Sequence, residues 1–257
     1  MTTPNNPIVN AGLLYVNGLQ IINTTTVTFA PTLFLAPGAA RDSTNTNDIV
    51  LSSQITLDGQ NVGANGVDTA PLLISTFYAV YVIGDSTANK PTAGLFSLSP
   101  NAPQLPLGYD MFRRVGWILT TGNNNILSFA QLGVNENRTY YYYDSFIILA
   151  AGTSTTYIPL DLSSFVPPIS AANPIAPLNE AFLTLKYTAA SAGNRIEFND
   201  FALGGNFALG IIQFGCGVAG IQYGSVRVPA QQQQTFYRVG AGDSVEIRVA
   251  GYTDYLG

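Results

Sequence analysis

The chain has 257 residues, a net charge of −5 and 10 Lys and Arg residues, and only 10% of its residues are charged, against roughly 25% in an ordinary soluble domain. The basic residues are scattered along the chain, which argues against nucleic-acid binding. The chain has no histidine, which excludes Ser-His-Asp and Cys-His catalysis and most zinc sites. Cys216 is the single cysteine, so an internal disulfide is excluded. We therefore expect no cofactor, and a neutral surface that neighbouring subunits cover.

Short strand signals bounded by turn residues recur along the first half, whereas helical periodicity is nearly absent. Asn17-Gly18 lies between two apolar runs and predicts a hairpin. Residues 49–57 alternate apolar and polar side chains, which predicts one buried face. Residues 77–83 are apolar at every position, so we expect a central strand that is covered on both sides, with residues 95–98 beside it.

The next strand signals, residues 112–120 and 126–132, flank a Thr-Gly-Asn-Asn-Asn turn and predict a second hairpin. Before them, the three prolines of residues 100–108 predict an irregular connection. Pro106 fixes its own φ angle and Gly108 tolerates a positive one, so we expect a tight turn into the following strand. The first half is therefore a meander of short strands, typical of β-sandwiches and barrels.

A polar stretch, residues 134–138, precedes a second apolar block. We place a domain boundary there: residues 1–138 form an N-terminal β module that begins with an extended arm at residues 1–9, and residues 139–257 form a C-terminal module. Seven further strand signals in the second half predict a jelly-roll-like β-sandwich. The predicted fold is all-β, with two modules.

Three segments of the first half occur in a characteristic order. They are Arg-Asp-Ser-Thr-Asn-Thr-Asn-Asp-Ile-Val-Leu at residues 41–51, Tyr-Ala-Val-Tyr-Val-Ile-Gly-Asp-Ser at residues 78–86, and Leu-Pro-Leu-Gly-Tyr-Asp-Met-Phe-Arg-Arg-Val-Gly-Trp at residues 105–117. Over residues 40–132 the chain resembles a module of tailed-bacteriophage virion proteins such as tail-fibre and head-fibre proteins. Residues 139–257 carry no motif that extends this resemblance.

The resemblance implies a non-enzymatic structural component of a tailed-phage virion, either a fibre or a capsid-decoration subunit. It implies other virion proteins as partners (capsid, portal, tail or fibre subunits) and, by analogy with fibres, a homotrimer. The alternative is a tail protein that binds a host surface glycan. Residues 1–7 lack the features of a secretion signal, and no apolar stretch reaches the ~18–20 residues of a spanning helix. We therefore expect synthesis in the host cytoplasm, a place in the virion and no membrane insertion.

Two consecutive arginines lie in the third of these segments. Arg113 and Arg114 point to opposite faces of the predicted strand. Either of them pairs with a loop carboxylate such as Asp85 or Asp110, or both remain solvated at the strand end. We favour the solvated arrangement, because exposed ion pairs contribute little.

The most unusual segment is a run of four tyrosines followed by an aspartate: Tyr140, Tyr141, Tyr142, Tyr143 and Asp144. In a strand, side chains alternate between faces, so only two of these rings line one surface. Aromatic rings beside a carboxylate suit a glycan, but tyrosine also suits a subunit interface, which we favour. Phe201 and Phe207, in a Gly-rich apolar segment, are further interface candidates at a symmetry axis, where glycine permits close backbone approach.

Two groups of polar residues have chemical alternatives. Residues 41–48 concentrate side-chain oxygens, which Ca²⁺ prefers, but the same residue types form tight turns, and we favour the turn. The carboxylate pairs Glu197 with Asp200 and Asp243 with Glu246 are compatible with a glycan-cleaving enzyme. Acidic residues are common in loops, however, and we predict that the protein is not an enzyme.

Overall fold

The computed structural model describes residues 15–23, 31–133, 135, 137–168, 179–199 and 212–256. In these ranges the chain forms nineteen β-strands and a short 3-10 turn, Gln231–Gln233, which confirms the predicted all-β class. No helix in this part of the chain has the length and apolar character needed to cross a bilayer. The predicted arm at residues 1–9 lies outside the described residues.

Ten strands in the first half form three small sheets, with the orders β1-β4-β5, β2-β3-β6 and β10-β8-β9-β7. All of their pairings are antiparallel apart from that of β7 with β9. The strands are β1 (Val16–Gly18), β2 (Ile21–Ile22), β3 (Thr32–Leu35), β4 (Gly38–Arg41), β5 (Asp48–Leu51), β6 (Ile55–Asp58), β7 (Gly66–Val67), β8 (Phe77–Gly84), β9 (Ala93–Ser97) and β10 (Met111–Leu119).

The nine strands of the second half form a five-stranded sheet, β11-β12-β19-β14-β17, and a four-stranded sheet, β13-β18-β15-β16. They are β11 (Phe129–Leu132), β12 (Asn137–Gly152), β13 (Ile158–Asp161), β14 (Glu180–Ala189), β15 (Arg195–Asn199), β16 (Ile212–Gly215), β17 (Gly220–Pro229), β18 (Gln234–Val239) and β19 (Ser244–Tyr255).

Without β11, the eight strands β12 to β19 are divided between the two sheets in the order of a jelly roll. Leu185 and Val249 face inwards from the five-stranded sheet, and Phe198 and Tyr237 face inwards from the four-stranded sheet. These side chains belong to one buried cluster, so the sandwich closes around a continuous apolar core.

β8 is the central strand that the sequence predicts, with β10 on one side and β9 on the other. Val80 faces the main core, while Tyr81 faces a second buried cluster that includes Trp117. Leu105, from the proline-rich connection, packs on this second cluster, and the Tyr81 hydroxyl donates to the Ser99 carbonyl at 2.8 Å. The connection therefore covers the second face of β8, which is why a strand without polar positions is stable here.

The hairpin predicted at Asn17-Gly18 is wrong. Gly18 and Leu19 both have positive φ angles, and the chain turns there, but β1 pairs with β4 whereas β2 pairs with β3. Gly18 and Gly38 are Cα partners, and a Cβ atom on Gly38 would lie 2.3 Å from the backbone nitrogen of Leu19. This close backbone approach holds the turn against β4, so the chain passes from one sheet to another.

The second predicted hairpin is confirmed only at its turn. Leu127 N donates to Leu119 O, and Thr121 N donates to Asn125 O, each at 2.7 Å. Beyond this turn the strands separate, because β10 stays with β8 while β11 pairs with β12 in the jelly roll.

The predicted domain boundary between residues 138 and 139 falls inside β12. β11 precedes that boundary, yet it extends the five-stranded sheet of the second half. Strand pairing therefore continues across the boundary, and the division into two modules stays a prediction.

Buried arginines connect the first-half sheets to the jelly roll. Arg114 on β10 forms an ion pair with Asp254 on β19, with 2.7 Å between Nη1 and Oδ2, and the two side chains are 11% and 2% exposed. Arg138 on β12 is fully buried; its Nη2 donates to Gly18 O at 2.7 Å and its Nη1 to Gln131 Oε1 at 3.1 Å. These polar bonds fix the first half of the chain against the second.

We expect Arg114→Gln to lower the free energy of unfolding by about 3–5 kcal/mol, because Asp254 then stays buried without its charged partner. The matched control is Arg248→Gln, which removes an ion pair of equal length, 2.7 Å to Glu246, from an exposed position. This change should cost less than about 1 kcal/mol. Urea denaturation measures both, and equal losses in the two variants would refute a dominant role for the buried pair.

Candidate functional site

The four consecutive tyrosines alternate between the two faces of β12, as predicted. Tyr140 and Tyr142 are buried in the core, whereas Tyr141 and Tyr143 face solvent, with Tyr143 64% exposed. Asp144 is exposed beside it. Only Tyr141, Tyr143 and Asp144 therefore remain candidates for contact with another molecule.

Tyr140 has a structural role. Its hydroxyl accepts hydrogen bonds from Gln131 Nε2 at 2.7 Å and from Trp117 N at 3.3 Å, and its ring stacks on Tyr252 with 4.6 Å between centroids. Burial raises the pKa of the Tyr140 phenol above its ordinary value, and the nearby Asp254 carboxylate raises it further. The phenol therefore stays neutral and serves as a buried hydrogen-bonding group.

A glycine on β10 makes room for this hydroxyl. The register of β10 against β8 shifts between Arg114 and Gly116, and Gly116 has a φ angle of 153°. A Cβ atom on Gly116 would lie 1.9 Å from the Tyr140 hydroxyl. The β-bulge and the glycine together admit the ring of a strand from the other half of the chain.

We expect Gly116→Ala to destabilise the protein by at least about 2 kcal/mol, because the added methyl group overlaps the Tyr140 hydroxyl in a backbone conformation that favours glycine. Gly122→Ala is the matched control, since no heavy atom lies within 4 Å of its added Cβ position. Thermal unfolding of the two variants tests this expectation, and a Gly116→Ala protein as stable as the control would contradict it.

The solvent side of the five-stranded sheet is the candidate interaction surface, here named the outer face. Cross-strand pairing and alternation place side chains from β12, β19, β14 and β17 on it. Its residues are Tyr141, Tyr143, Ile147, Phe182, Thr184, Lys186, Ile221, Tyr223, Arg227, Glu246 and Arg248.

A stack of three side chains crosses the outer face. The rings of Tyr141 and Phe182 are parallel within 10°, with 5.3 Å between centroids, and the Arg227 guanidinium lies 4.4 Å from the Phe182 centroid. Gly251 on β19 lies between Tyr141 and Phe182 in the strand register. Because Gly251 has no side chain, the two rings meet over it, and the arginine completes the row.

The far edge of the outer face belongs to β17. Ile221 and Tyr223 lie on this strand, and Tyr223 is 74% exposed. Tyr223, Lys186, Glu246 and Arg248 line a shallow groove. These residues were not among the predicted site residues, although the alternation of residues 221–228 indicates that positions 221 and 223 share a face opposite to that of positions 226 and 228.

The outer face has the composition of a protein interface. Interfaces are enriched in tyrosine and arginine, because these side chains bury a large area and still form polar contacts. β17 is also an edge of its sheet. The face is therefore suited to hold another protein through ring contacts and a few charged bonds.

The prediction that Arg113 and Arg114 are solvated is wrong. Arg114 pairs with Asp254, and Arg113 Nη2 donates to Leu256 O at 3.2 Å, so both arginines are bound to the C-terminal strand region. Their partners lie about 140 positions further along the chain, so local sequence pattern does not reveal them.

The loop carboxylates that were candidate partners bind backbone groups. Asp85 accepts hydrogen bonds from Asn89 N and Lys90 N, each at 2.9 Å, and Asp110 accepts one from Ser86 N at 2.8 Å. Hydrogen bonds from Thr87 dominate the lowering of the pKa of Asp85. These two carboxylates therefore shape the loop after β8.

The turn predicted at Pro106 and Gly108 is confirmed. Tyr109 N donates to Pro106 O at 3.1 Å, and Gly108 has a φ angle of 89°. The turn brings the Tyr109 ring onto the second buried cluster, where its hydroxyl donates to Pro91 O at 3.0 Å.

The loop of residues 41–48 is organised around Asp42. This buried carboxylate accepts hydrogen bonds from Thr44 Oγ1 at 2.7 Å, Thr46 N at 2.8 Å and Asn47 N at 3.1 Å, as the turn interpretation requires. Burial acts to raise the pKa of Asp42, but these hydrogen bonds outweigh it and lower the pKa below 3.8. Among the described residues, no group of three or more His, Cys, Asp and Glu side chains is placed to hold a metal ion.

We expect Asp42→Ala to destabilise the protein by about 1.5–3 kcal/mol at neutral pH, because it removes charge-assisted hydrogen bonds to the loop. The folded pKa of Asp42 lies below the unfolded value of 3.8, so its contribution is present above that pH and is lost as the pH falls through the folded pKa. Urea unfolding at neutral pH and at several lower values tests this. A difference from wild type that grows on acidification would contradict it, and exposed Asp144→Ala should have little effect at any pH.

The carboxylates considered for catalysis have structural bonds. Glu197 is paired with Arg195 and Arg238, and Glu246 is paired with Arg248. Asp243 accepts a hydrogen bond from Ala190 N at 2.7 Å and anchors a loop. Asp200, Phe201 and Phe207 lie outside the described residues.

No protein-family model matches this chain, and no curated protein is similar to it in sequence. The resemblance of residues 40–132 to phage virion proteins therefore stays a prediction. In the structure this segment contains the central strand β8, its neighbours β9 and β10, and the loop around Asp42.

Proposed function

We propose that this protein is a non-enzymatic structural subunit of a tailed-phage virion, a fibre or capsid-decoration protein, that is held by contacts through its outer face. The observation that carries this proposal is the set of exposed rings and aliphatic side chains on that face: Tyr141, Tyr143 and Ile147 on β12, and Ile221 and Tyr223 on β17. The jelly-roll order of β12 to β19 supports it, because this architecture is common in viral capsid domains. The fold by itself does not define a function.

The energetics also favour an interface on this face. Burying apolar surface contributes roughly 25 cal/mol per Å², before the costs of association. Tyr143 and Tyr223 have little conformational entropy to lose for their size. Arg227 and Arg248 lie on the same face and add guanidinium groups for polar contacts. A partner that covers the outer face would thus bury most of the large exposed rings of the jelly roll.

The proposal includes an assembly and a location. We propose that the subunit forms a homotrimer, that its other partners are capsid, portal, tail or fibre proteins, and that it is made in the host cytoplasm before it joins the particle. Only 10% of the residues are charged, which supports the proposal that other protein subunits cover much of the surface.

We expect the double variant Tyr143→Ser, Tyr223→Ser to reduce incorporation into particles at least ~10-fold, because it removes two large rings from the proposed interface. A tenfold loss of affinity requires the loss of only about 1.4 kcal/mol of binding free energy. Both side chains are exposed, so the variant should fold normally, which circular dichroism checks. Leu107→Ser is the matched control, because Leu107 is 98% exposed on the proline-rich connection, away from the outer face. Quantitative mass spectrometry of purified particles gives the occupancy.

Two results would overturn the proposal: absence of the wild-type protein from purified particles, or full occupancy by the double variant. The wild-type copy number then separates the two structural roles. Hundreds of copies per particle indicate capsid decoration, and a few dozen or fewer indicate a tail or fibre component.

A glycan-binding role is the second candidate, and the exposed pair of Tyr143 and Asp144 favours it. A pyranose presents apolar C–H faces to a ring and hydroxyl groups to a carboxylate. Under this alternative, purified protein inhibits phage adsorption to host cells, and the Tyr143→Ser protein is incorporated normally but no longer inhibits. Wild-type protein without any effect on adsorption would eliminate it.

A further inference from the structure

A second polar site lies on the opposite side of the jelly roll, on the solvent side of the four-stranded sheet. Glu197 on β15 is at its centre, directly across from Gln213 on β16 and Arg238 on β18. Arg195 lies two positions before Glu197 and therefore shares its face. Tyr157, next to β13, completes the group.

The Glu197 carboxylate accepts hydrogen bonds from four side chains. Arg195 Nε donates to Oε1 and Arg238 Nε to Oε2, each at 2.6 Å. The Tyr157 hydroxyl donates to Oε2 at 2.8 Å, and Gln213 Nε2 donates to Oε1 at 3.3 Å. The Arg238 guanidinium also lies 4.7 Å from the centroid of the Tyr157 ring, and this cation–π contact helps to hold the guanidinium in place.

Within this group two guanidinium charges surround one carboxylate charge, and a second carboxylate, Asp243, is hydrogen-bonded to Asn194 and Ala190 beside the groove. The Glu197 side chain is only 4% exposed, whereas Arg195 is 52% and Arg238 is 40% exposed. Burial acts to raise the pKa of Glu197, but its hydrogen bonds lower it overall, so the carboxylate is ionised at neutral pH. Two guanidinium groups thus share one buried carboxylate, and their remaining N–H donors face solvent.

The two arginines line a groove with preformed walls. Apart from Val239, its other lining residues are small or polar: Thr155, Gly193, Asn194, Gly240 and Ala241. Asp243 stabilises the loop that forms one wall, because its Oδ1 accepts hydrogen bonds from Asn194 Nδ2 at 2.8 Å and from Ala190 N at 2.7 Å. The loops on either side of the groove are therefore held in place without a ligand.

The ion pair of Arg248 with Glu246 differs from the Glu197 group. On β19, Arg248 and Glu246 have the same two-residue spacing and a similar Nε–Oε1 distance, 2.7 Å, but a single arginine forms the ion pair, and Lys186 lies directly across from Glu246 in the strand register. The Glu197 group differs in that two arginines form ion pairs with the same carboxylate.

We propose that this groove binds the carboxylate group of an acidic saccharide, such as a uronic acid or a sialic acid residue. Arginine binds carboxylates through paired N–H donors, and a bound carboxylate would accept hydrogen bonds from the remaining donors of Arg195 and Arg238. A Cβ atom on Gly193 would have no heavy atom within 4 Å, so this wall of the groove is open to a ligand. Thr155 and Asn194 add polar groups for the sugar hydroxyls. The groove lies on a sheet face and not along a sheet edge, where an extended peptide would add as a strand.

The test is calorimetric titration of the purified chain with methyl glucuronide and with N-acetylneuraminic acid, with neutral methyl glucoside as the reference ligand. We expect at least one acidic sugar to bind, and Arg195→Gln to weaken that binding at least ~10-fold. Arg248→Gln is the matched control and should bind as wild type does. Arg195→Lys, which keeps the charge but not the paired donors, should restore the affinity only in part.

Four results would overturn the proposal. They are no binding of either acidic sugar, equal binding of methyl glucoside, unchanged affinity of a folded Arg195→Gln protein, and equally tight binding of a glutamate-rich peptide, which would indicate a protein ligand instead. Thermal unfolding verifies that the variants are folded. Because the assay uses the isolated chain, its outcome is independent of the occupancy experiment on virions.

Discussion

The relative position of the first-half sheets and the jelly roll depends on charged groups that are buried between them. Arg114 and Asp254 are almost inaccessible to water, and Arg138 is fully buried. A buried charge without a partner costs several kcal/mol, so these residues tolerate few alternative arrangements of the two halves. Apolar contacts alone would permit sliding, because they have no direction. The polar bonds therefore specify the geometry, while burial of the large core supplies most of the stability.

The few charges of this chain have definite places. Arg114 and Arg138 form polar bonds in the interior. Most of the exposed cations lie on the solvent sides of the two jelly-roll sheets. Elsewhere much of the surface consists of neutral polar and apolar side chains. A surface with so little repulsion associates readily with other proteins, which agrees with the structural role proposed for the outer face. The groove around Glu197 adds a different, ligand-sized feature on the other side.

Part of the candidate site was predictable. Alternation along a strand assigns Tyr141 and Tyr143 to one face without any knowledge of the fold, and that assignment is confirmed. The stack of Tyr141, Phe182 and Arg227 was not predictable, because its members meet only through the pairing of four strands from distant parts of the sequence. The same holds for Glu197, whose partners range from two to 41 positions away.

Local pattern by itself determined the all-β class, the central position of β8 and the turns at Pro106–Tyr109 and around Asp42, because each depends on neighbouring residues and on the two-residue period of a strand. Which strands pair is visible only in the tertiary structure. There the chain passes from one sheet to another at Asn17-Gly18 and does not form a hairpin, and Arg114 forms an ion pair with Asp254. Pairing between distant strands and the burial of charge depend on the whole chain, because residues from distant parts of the sequence together exclude water from each contact and so set its desolvation free energy.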